Sequence, residues 1–295
     1  MRIAVTGAHG QVARALIERA EAQGHIVIAL ARPAMDLTDP PTVSPAIESA
    51  APDVVVNAAA YTAVDKAETD QPLARLVNGV GAGMVALAAE RVGVPVIHLS
   101  TDYVFDGRLD RPYREDDATG PLSVYGLTKR DGEQMVRSVN RRHVIVRTSW
   151  VYSPFGANFV RTMLRLGETR DEIKVVDDQI GCPTSAFDVA DGLLDICRAL
   201  QAEPGDESLY GVFHLAGDGA ASWADFAEAI FAEAARRGRR GVVVRRIPSS
   251  AYPAAARRPA NSRLDTHKLA RVYGTQLPPW RNSLSYVVDR LLQKM

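Results

Sequence analysis

The strongest constraint on the fold is a regular alternation of short apolar runs with longer amphipathic segments. Five runs have the length of a strand: 2–7, 25–31, 53–60, 94–100 and 143–150. They are continuously apolar and rich in Val and Ile, which is typical of parallel strands that are buried on both faces. Alternation of such strands with helices predicts an α/β fold, a doubly wound parallel sheet with right-handed crossovers.

The segments between these runs carry helical periodicity. The first predicted helix places Val12, Leu16, Ile17 and Ala20 on one face. A later helix, which leads into the fourth strand, has its apolar residues at Leu76, Val80, Met84, Leu87 and Ala88. Both helices are expected to pack on the sheet.

The alternation loosens after Trp150. A helix at 186–201 and a strand at 212–217 follow, and then further helices, a short strand and a loop rich in Pro and Arg at 249–264. We predict a dinucleotide-binding domain formed by 1–150 plus about 185–216. A smaller mixed α/β substrate domain, formed by about 151–184 and 217–295, is expected at the carboxyl edge of the sheet, where doubly wound folds bind ligands.

Composition argues against several classes of protein. Among 295 residues, 35 Lys and Arg balance 35 Asp and Glu, so the net charge indicates neither nucleic acid nor an anionic membrane as a partner. No uninterrupted apolar run has the length of a bilayer span, so no membrane is expected. Cys182 and Cys197 form no paired pattern, which indicates a reducing compartment, and we expect a cytoplasmic protein. The six histidines are scattered without metal-ligand spacing.

The turn after the first strand reads TGAHGQVA and has small residues at Gly7, Gly10 and Ala13. Gly7 permits a tight turn, and Gly10 lets the backbone approach a diphosphate at the N-terminus of the following helix. Ala13 is small enough for the helix to pack closely on the strand. Because the pattern lies between a strand and an amphipathic helix, it predicts a dinucleotide site.

The end of the second strand bears on the choice of cofactor. An acidic residue there favours the ribose diol of NAD, whereas an arginine favours the 2′-phosphate of NADP. Arg32 stands at this place, and Asp36 follows a few residues later. We therefore expect NADPH, with NADH also possible.

The segment SVYGLTKRDG places Tyr125 and Lys129 four residues apart, which puts both side chains on one face of a helix. A nearby ammonium stabilises phenolate, so we expect the pKa of Tyr125 to lie below about 10. Such a phenol can give a proton to a carbonyl oxygen as hydride reaches the carbon. A hydroxyl for the same carbonyl could come from Ser100 or Thr101 at the end of the fourth strand, and periodicity does not choose between them.

Several longer motifs are collinear with one known family. They are TGxxGQ, VVVNAAAYTAVDKAE (54–68), STDYVFDG (100–107), PLSVYGLTKRDGE (121–133), RTSWVY (147–152), DQIGCPT (178–184) and RPANSRL (258–264). From residue 1 to about 285 the chain resembles the dTDP-4-dehydrorhamnose reductases, of the extended short-chain dehydrogenase/reductase superfamily with its Rossmann domain. The resemblance implies hydride transfer from NADPH or NADH to C4 of dTDP-4-dehydro-L-rhamnose, which gives dTDP-L-rhamnose.

The resemblance also implies roles for individual residues. It makes Thr101 the catalytic hydroxyl, Tyr125 the proton donor and Lys129 the helper lysine. The implied cofactor contacts are Gly10, Gln11 and Val12 at the diphosphate, Asp36 and Leu37 at the adenosine part, and Ala60, Tyr61 and Thr62 beneath the cofactor, with Tyr125 and Lys129. We add Gly7, Arg32 and Ala58 to the predicted cofactor site. The implied substrate contacts are Val64, Tyr103 and Trp150 beside the deoxysugar, with Thr101 and Tyr125, and Arg258 and Asn261 on the nucleotide side. We add Asp102 to the predicted substrate contacts. Trp150 would offer a flat apolar face to the sugar ring.

One departure concerns the assembly. Some members of the family resemble dimers bridged by a metal on acidic side chains, but the matching positions here are Ala15 and Phe187, which cannot ligate a hard cation. We therefore expect no metal, and a monomer or weak homodimer. Two other functions stay open: another nucleotide-deoxysugar reductase, epimerase or dehydratase of this fold, and a non-catalytic nucleotide-binding regulatory subunit.

Overall fold

The structure, a computed structural model, describes residues 1–293. Its centre is a six-stranded sheet in the order β10-β5-β4-β3-β1-β2, and every neighbouring pair is parallel. The strands are β1 Arg2–Thr6, β2 Ile26–Leu30, β3 Val54–Asn57, β4 Val96–Thr101, β5 His143–Thr148 and β10 Gly211–His214. The doubly wound parallel sheet predicted from the alternation is confirmed.

Helices cover both faces of this sheet and bury a core on each. On one side lie α1 (Gln11–Ala22) and α8 (Ala186–Ala202), with Leu16 and Leu193 fully buried between them and the strands. On the other side lie α2 (Val43–Ala50), α5 (Ala82–Arg91) and α6 (Val124–Val139), which bury Ile47, Val85 and Val136. Two short helices, α3 (Val64–Ala67) and α4 (Gln71–Arg75), precede α5.

The C-terminal half adds three two-stranded pairings beside the main sheet: β6 with β9, β7 with β12, and β8 with β11. The strands are β6 Val151–Tyr152, β7 Glu172–Val176, β8 Ile180–Gly181, β9 Thr184–Ser185, β11 Ala221–Ser222 and β12 Val243–Ile247. The helices are α7 Phe159–Gly167, α9 Trp223–Ala235, α10 His267–Tyr273 and α11 Trp280–Leu292. The division into two domains stays a prediction.

The helix predicted before the fourth strand is present over Gln71–Arg91, but it is not a regular α-helix throughout. It is 21 residues long, and an 18-residue stretch of it has a mean hydropathy of 1.3, so length and composition alone would allow a membrane span. However, 56% of that stretch is buried inside the protein. Within it, Leu76–Gly81 is a π-helix. Its wider turn changes the inward face, so that Asn78, Gly79 and Gly81 are buried whereas Val80 is 40% exposed.

Candidate active site

The order in which the strands are added to the sheet reverses at β1, because β2 lies on one side of β1 and β3 lies on the other. The crevice at such a switch point is where doubly wound folds bind ligands. Gly7 lines it with φ +70°, and a Cβ there would lie 2.8 Å from the Cα of Ala59. Gly10 is the N-cap of α1 and provides no side-chain cap. The first backbone N–H groups of α1 are therefore available to a phosphate.

Gln11 and Val12 can serve such a phosphate only through their backbone. The Gln11 Oε1 accepts hydrogen bonds from Ser153 Oγ at 2.7 Å and from Asn158 Nδ2 at 2.9 Å, so the side chain ties α1 to the loop after β6. Val12 packs into the core and is 9% exposed. Of these two residues, only the backbone N–H groups remain as candidates for the predicted contact with a diphosphate.

The predicted adenosine contacts lie beyond the end of β2. The Arg32 side chain is 79% exposed, and its Nε is 4.0 Å from Asp36 Oδ2. Hydrogen bonds from Thr38 hold the pKa of the Asp36 carboxyl below its usual value. Leu37 is buried, and a Cβ on Gly81 would lie 2.9 Å from its Cβ. Arg32 is thus the exposed cation of this corner, which is what a 2′-phosphate requires.

The loop after β3 holds Ala58, Ala60, Tyr61 and Thr62, and a residue that the sequence analysis missed fixes it. Asn78 in the π-helix accepts a hydrogen bond from Tyr61 N at 2.8 Å. Its Nδ2 donates to Tyr61 O at 3.1 Å and to Thr128 Oγ1 at 3.0 Å. Asn78 therefore joins the cofactor loop to α6, the helix that carries Tyr125 and Lys129.

Thr101, Tyr125 and Lys129 come together at the carboxyl end of β4. Ser123 caps α6 by accepting a hydrogen bond from Gly126 N at 3.2 Å. A Cβ on Gly126 would lie 2.2 Å from Tyr103 O, so this glycine allows α6 to approach the segment after β4. Thr101 is then a neighbour of Tyr125, and its hydroxyl acts to lower the pKa of the Tyr125 phenol.

Lys129 is 2% exposed and is oriented by β4. Its Nζ donates to Leu99 O at 2.6 Å and lies 3.4 Å from His98 Nε2. Burial lowers the pKa of Lys129 to about 8, against the effect of Glu133, which raises it. The Lys129 amine is therefore held against β4.

The pKa of Tyr125 corrects one expectation. Burial raises the pKa of Tyr125 to about 12, and the charge of Asp102 acts in the same direction. The lowering predicted from the neighbouring lysine is wrong for this structure because loss of hydration dominates and the lysine amine is turned toward β4. The phenol is therefore held in its protonated form, which is the form that donates a proton to a ketone.

The choice between Ser100 and Thr101 follows from their partners. Ser100 Oγ donates to Glu133 Oε1 at 2.6 Å, and both are buried. Glu133 also forms a two-pronged ion pair with Arg147, at 2.8 Å from Nε and 2.7 Å from Nη2. Ser100 is thus committed to a buried structural network that joins α6 to β4 and β5, which leaves Thr101 as the hydroxyl beside Tyr125.

The Asp102 carboxylate is buried against the Thr101 hydroxyl. It is 2% exposed and accepts hydrogen bonds from Thr101 Oγ1 at 2.9 Å and from Ser149 Oγ at 3.0 Å. Burial raises the pKa of Asp102 to about 6. Both carboxylate oxygens are thus bonded to protein hydroxyls, and the substrate contact of Asp102 stays a prediction.

The Trp150 ring is packed against protein on one face. It has φ +46°, and its ring stacks on Trp223 with centroids 3.5 Å apart and an interplanar angle of 6°. A Cβ on Gly181 would lie 2.4 Å from Trp150 Cε2, so that glycine backbone also packs against the indole. The contact of Trp150 with a sugar stays a prediction, and it would have to use the part of the ring that Trp223 and Gly181 leave uncovered.

The other predicted substrate residues are divided between two environments. The Tyr103 ring contacts Tyr125 edge to face, with centroids 6.1 Å apart. Val64 is the first residue of α3, which follows the loop after β3. Arg258 Nη2 lies 2.6 Å from Asp65 Oδ2. Asn261 donates through Nδ2 to Leu109 O and Arg111 O at 2.7 and 2.8 Å, so its amide stabilises a loop.

Four neighbours of the site were not identified from the sequence. Asn78, His98, Glu133 and Arg147 are buried polar residues inside apolar patterns. A buried polar side chain needs a partner, so an isolated polar residue inside an apolar strand or helix was the signal available. It does not name the partner, since that partner is distant in the chain.

Comparison with known proteins supplies the family. The sequence model of the RmlD substrate binding domain matches residues 1–293. The chain belongs to the dTDP-4-dehydrorhamnose reductase family. A dTDP-4-dehydrorhamnose reductase of Sinorhizobium fredii is 50% identical over 293 residues, which cover 99% of this chain and 98% of that relative.

Solved structures of this reductase family share the whole fold. A dTDP-4-dehydrorhamnose reductase of Clostridium acetobutylicum is 38% identical with a TM-score of 0.90, and 100% of both chains is covered. The enzyme of Bacillus anthracis, solved in complex with NADP, is 35% identical with a TM-score of 0.89 and covers 100% of this chain and 99% of its own.

Proposed function

We propose that this chain reduces the C4 ketone of dTDP-4-dehydro-L-rhamnose to dTDP-L-rhamnose. The observation that carries the proposal is the meeting of Thr101, Tyr125 and Lys129 at the switch-point crevice, in a chain of the reductase family. Tyr125 gives its proton to the ketone oxygen, Lys129 would bond the ribose of the nicotinamide cofactor, and the Thr101 hydroxyl would meet the same ketone oxygen. Bound NADPH supplies the hydride.

The residues of the crevice fit a dinucleotide. The uncapped N-terminus of α1 and the close approach at Gly7 would hold its diphosphate. Arg32 would meet the 2′-phosphate, with Asp36 and Leu37 beside the adenosine, and Ala58, Ala60, Tyr61 and Thr62 would lie beneath it. We propose NADPH as the preferred cofactor, with NADH accepted. The Bacillus anthracis relative, solved with NADP, supports this assignment.

On the substrate side we propose that Val64, Tyr103 and Trp150 flank the deoxysugar and that Arg258 binds the diphosphate of a dTDP-sugar. We further propose a cytoplasmic enzyme that is a monomer or weak homodimer without a bridging metal. The cysteines Cys182 and Cys197 are buried as free thiols, which supports a reducing compartment. Ala15 and Phe187 lie in the apolar core, and residues 1–293 contain no acidic, His or Cys cluster of metal-site size.

The test is a spectroscopic assay of nicotinamide oxidation with dTDP-4-dehydro-L-rhamnose and either NADPH or NADH. We expect rapid oxidation, dTDP-L-rhamnose as the product, and faster turnover with NADPH at low concentration. Bound cofactor without oxidation would contradict the proposed substrate. It would favour either another deoxysugar enzyme of this fold or a regulatory subunit, and retention of tightly bound cofactor through turnover would identify an epimerase or dehydratase.

A further inference from the structure

One carboxylate outside the catalytic set makes an unusual connection. Asp65 lies on α3, directly after Val64, and its two oxygens bond to the C-terminal half of the chain. Oδ2 pairs with Arg258 Nη2 at 2.6 Å, and Oδ1 accepts a hydrogen bond from Ala256 N at 3.0 Å. Residues 249–262, here called the substrate loop, meet the N-terminal half at this side chain and again at Asn261, which donates to Leu109 O and Arg111 O.

The two ends of the substrate loop are fixed elsewhere. At its start, Ser249 N donates to Asp178 Oδ1 at 2.9 Å. At its end, Ser262 N donates to Ile180 O at 2.8 Å. Asp65 therefore acts on the middle of the loop, where Ala256 and Arg258 lie between these anchors.

The pairing also fixes the direction of the Arg258 guanidinium. Nη2 is taken by Asp65, and Nη1 donates to Ala256 O at 3.2 Å. A guanidinium has five N–H donors, so Nε and the second hydrogen of each terminal nitrogen stay available to an anion. The Arg258 side chain is 21% exposed, so it keeps one open side. That side is what a diphosphate needs.

Charge alone would not select a carboxylate at this place. A diphosphate is an anion, and an acid beside its arginine weakens the attraction between them. The advantage of Asp65 must lie in geometry, because it restrains both a long side chain and a loop before the ligand arrives. Arg258 lies beside Tyr103, which contacts Tyr125, so the restrained guanidinium is connected to the proton donor by one intervening ring.

We propose that Asp65 is a positioning residue for the dTDP-sugar: it holds the middle of the substrate loop closed and fixes Arg258 toward the substrate diphosphate. This inference rests on the proposed function, since it requires a nucleotide diphosphate beside Arg258. It predicts an effect on substrate binding and little effect on the chemical step.

The experiment compares D65N with the wild type and with D171N, whose carboxylate pairs with Arg240 at the surface. The amide introduced by D65N keeps an acceptor for Ala256 N and loses the ion pair. We expect the KM for dTDP-4-dehydro-L-rhamnose to rise about tenfold, with kcat and the KM for NADPH within about twofold of wild type. D171N should match the wild type. An unchanged KM in D65N would overturn the proposal, and a lower KM would show that Asp65 competes with the diphosphate.

Two readouts separate this inference from the proposed reaction because neither needs turnover. Calorimetric titration with dTDP should give weaker binding to D65N than to wild type, by about tenfold. Trypsin should cut after Arg257 faster in D65N, and dTDP should protect the wild type. Weaker dTDP binding without any reduction would uphold Asp65 and refute the reaction. Normal reduction with equal dTDP binding in both proteins would refute Asp65 alone, and a wild type that does not bind dTDP would refute both.

Discussion

The two sides of the proposed substrate site are built in opposite ways. The catalytic side, formed by the end of β4 and by α6, is a buried polar network in which Ser100 and Arg147 both donate hydrogen bonds to Glu133. The nucleotide side is the substrate loop, whose Arg258 pairs with Asp65 of α3, a carboxylate that is 50% exposed.

The difference follows from what each side must do. Proton transfer needs a geometry fixed to a fraction of an ångström, and buried networks provide it because leaving any member unpaired is costly. A dTDP-sugar must enter and leave, so the contacts that enclose it have to be weak enough to open. Changes on the catalytic side should therefore affect kcat or folding strongly, and changes at exposed charges should affect binding mildly.

The largest expected effect is on turnover in Tyr125→Phe. The phenyl ring keeps the contact with Tyr103 but cannot give a proton to the ketone, so kcat should fall by about 10²–10⁴-fold. The affinity for NADPH, measured by fluorescence titration, should stay close to the wild-type value. Turnover at the wild-type rate in this variant would remove Tyr125 from the mechanism.

The buried ion pair gives the next largest effect, on stability. Arg147 and Glu133 have side chains that are 2% and 3% exposed, so Glu133→Gln leaves a buried guanidinium without a counter-charge. We expect a loss of about 3–5 kcal/mol in the free energy of unfolding, measured in urea. The exposed Glu90→Gln on α5 is the matched control and should change stability by less than about 0.5 kcal/mol. If the two variants were equally stable, the contrast between a buried catalytic side and an exposed loop would lose its main support.

The same contrast between buried and exposed regions explains how far the sequence could predict this molecule. The sheet and the helices could be predicted because their apolar periodicity is local. The Gly7 turn could be predicted because its spacing is local too. The exposure of Val80 in the helix Gln71–Arg91 could not be predicted, since a π-turn at Leu76–Gly81 shifts the register of the helix without a clear sequence signature.

The site could be predicted only in part, for a related reason. Tyr125 and Lys129 share one helical face, so their proximity follows from spacing. Pairings such as Asp65 with Arg258, or Trp150 with Trp223, join positions far apart in the chain, and no local pattern encodes them. The direction of the Tyr125 pKa shift was also out of reach, because it depends on burial by the whole fold.

Asp102 provides a prediction that depends on pH. Its pKa in the folded protein is raised to about 6 from 3.8, so the fold favours the protonated acid. The resulting stabilisation is fully present below the unfolded pKa and is lost as pH rises through about 6. In Asp102→Asn, which can still accept from Thr101 and donate to Ser149, that loss should be absent.

The measurement is the difference in unfolding free energy between Asp102→Asn and wild type, followed from pH 4 to pH 8. We expect the variant to gain on the order of 3 kcal/mol relative to wild type across this range, most of it before about pH 6 to 7. Taking the difference cancels the other titrating groups. A difference that stays constant with pH would mean that Asp102 is not held in a desolvated position beneath Thr101.

The smallest effect is expected at the exposed charge of the cofactor side. Arg32 is 79% exposed, so its interaction with a 2′-phosphate would be screened by water and salt. Arg32→Ala should raise the KM for NADPH by only a few-fold, on the order of 1 kcal/mol, and leave the KM for NADH unchanged. Arg245→Ala, which removes another exposed arginine paired with Glu172, is the control. The loss at Arg32 should shrink as salt is added, and equal losses for both cofactors would assign Arg32 to the surface rather than to the 2′-phosphate. A large loss for NADPH would instead show that bound cofactor shields this corner from water, which would make the cofactor side resemble the buried catalytic side.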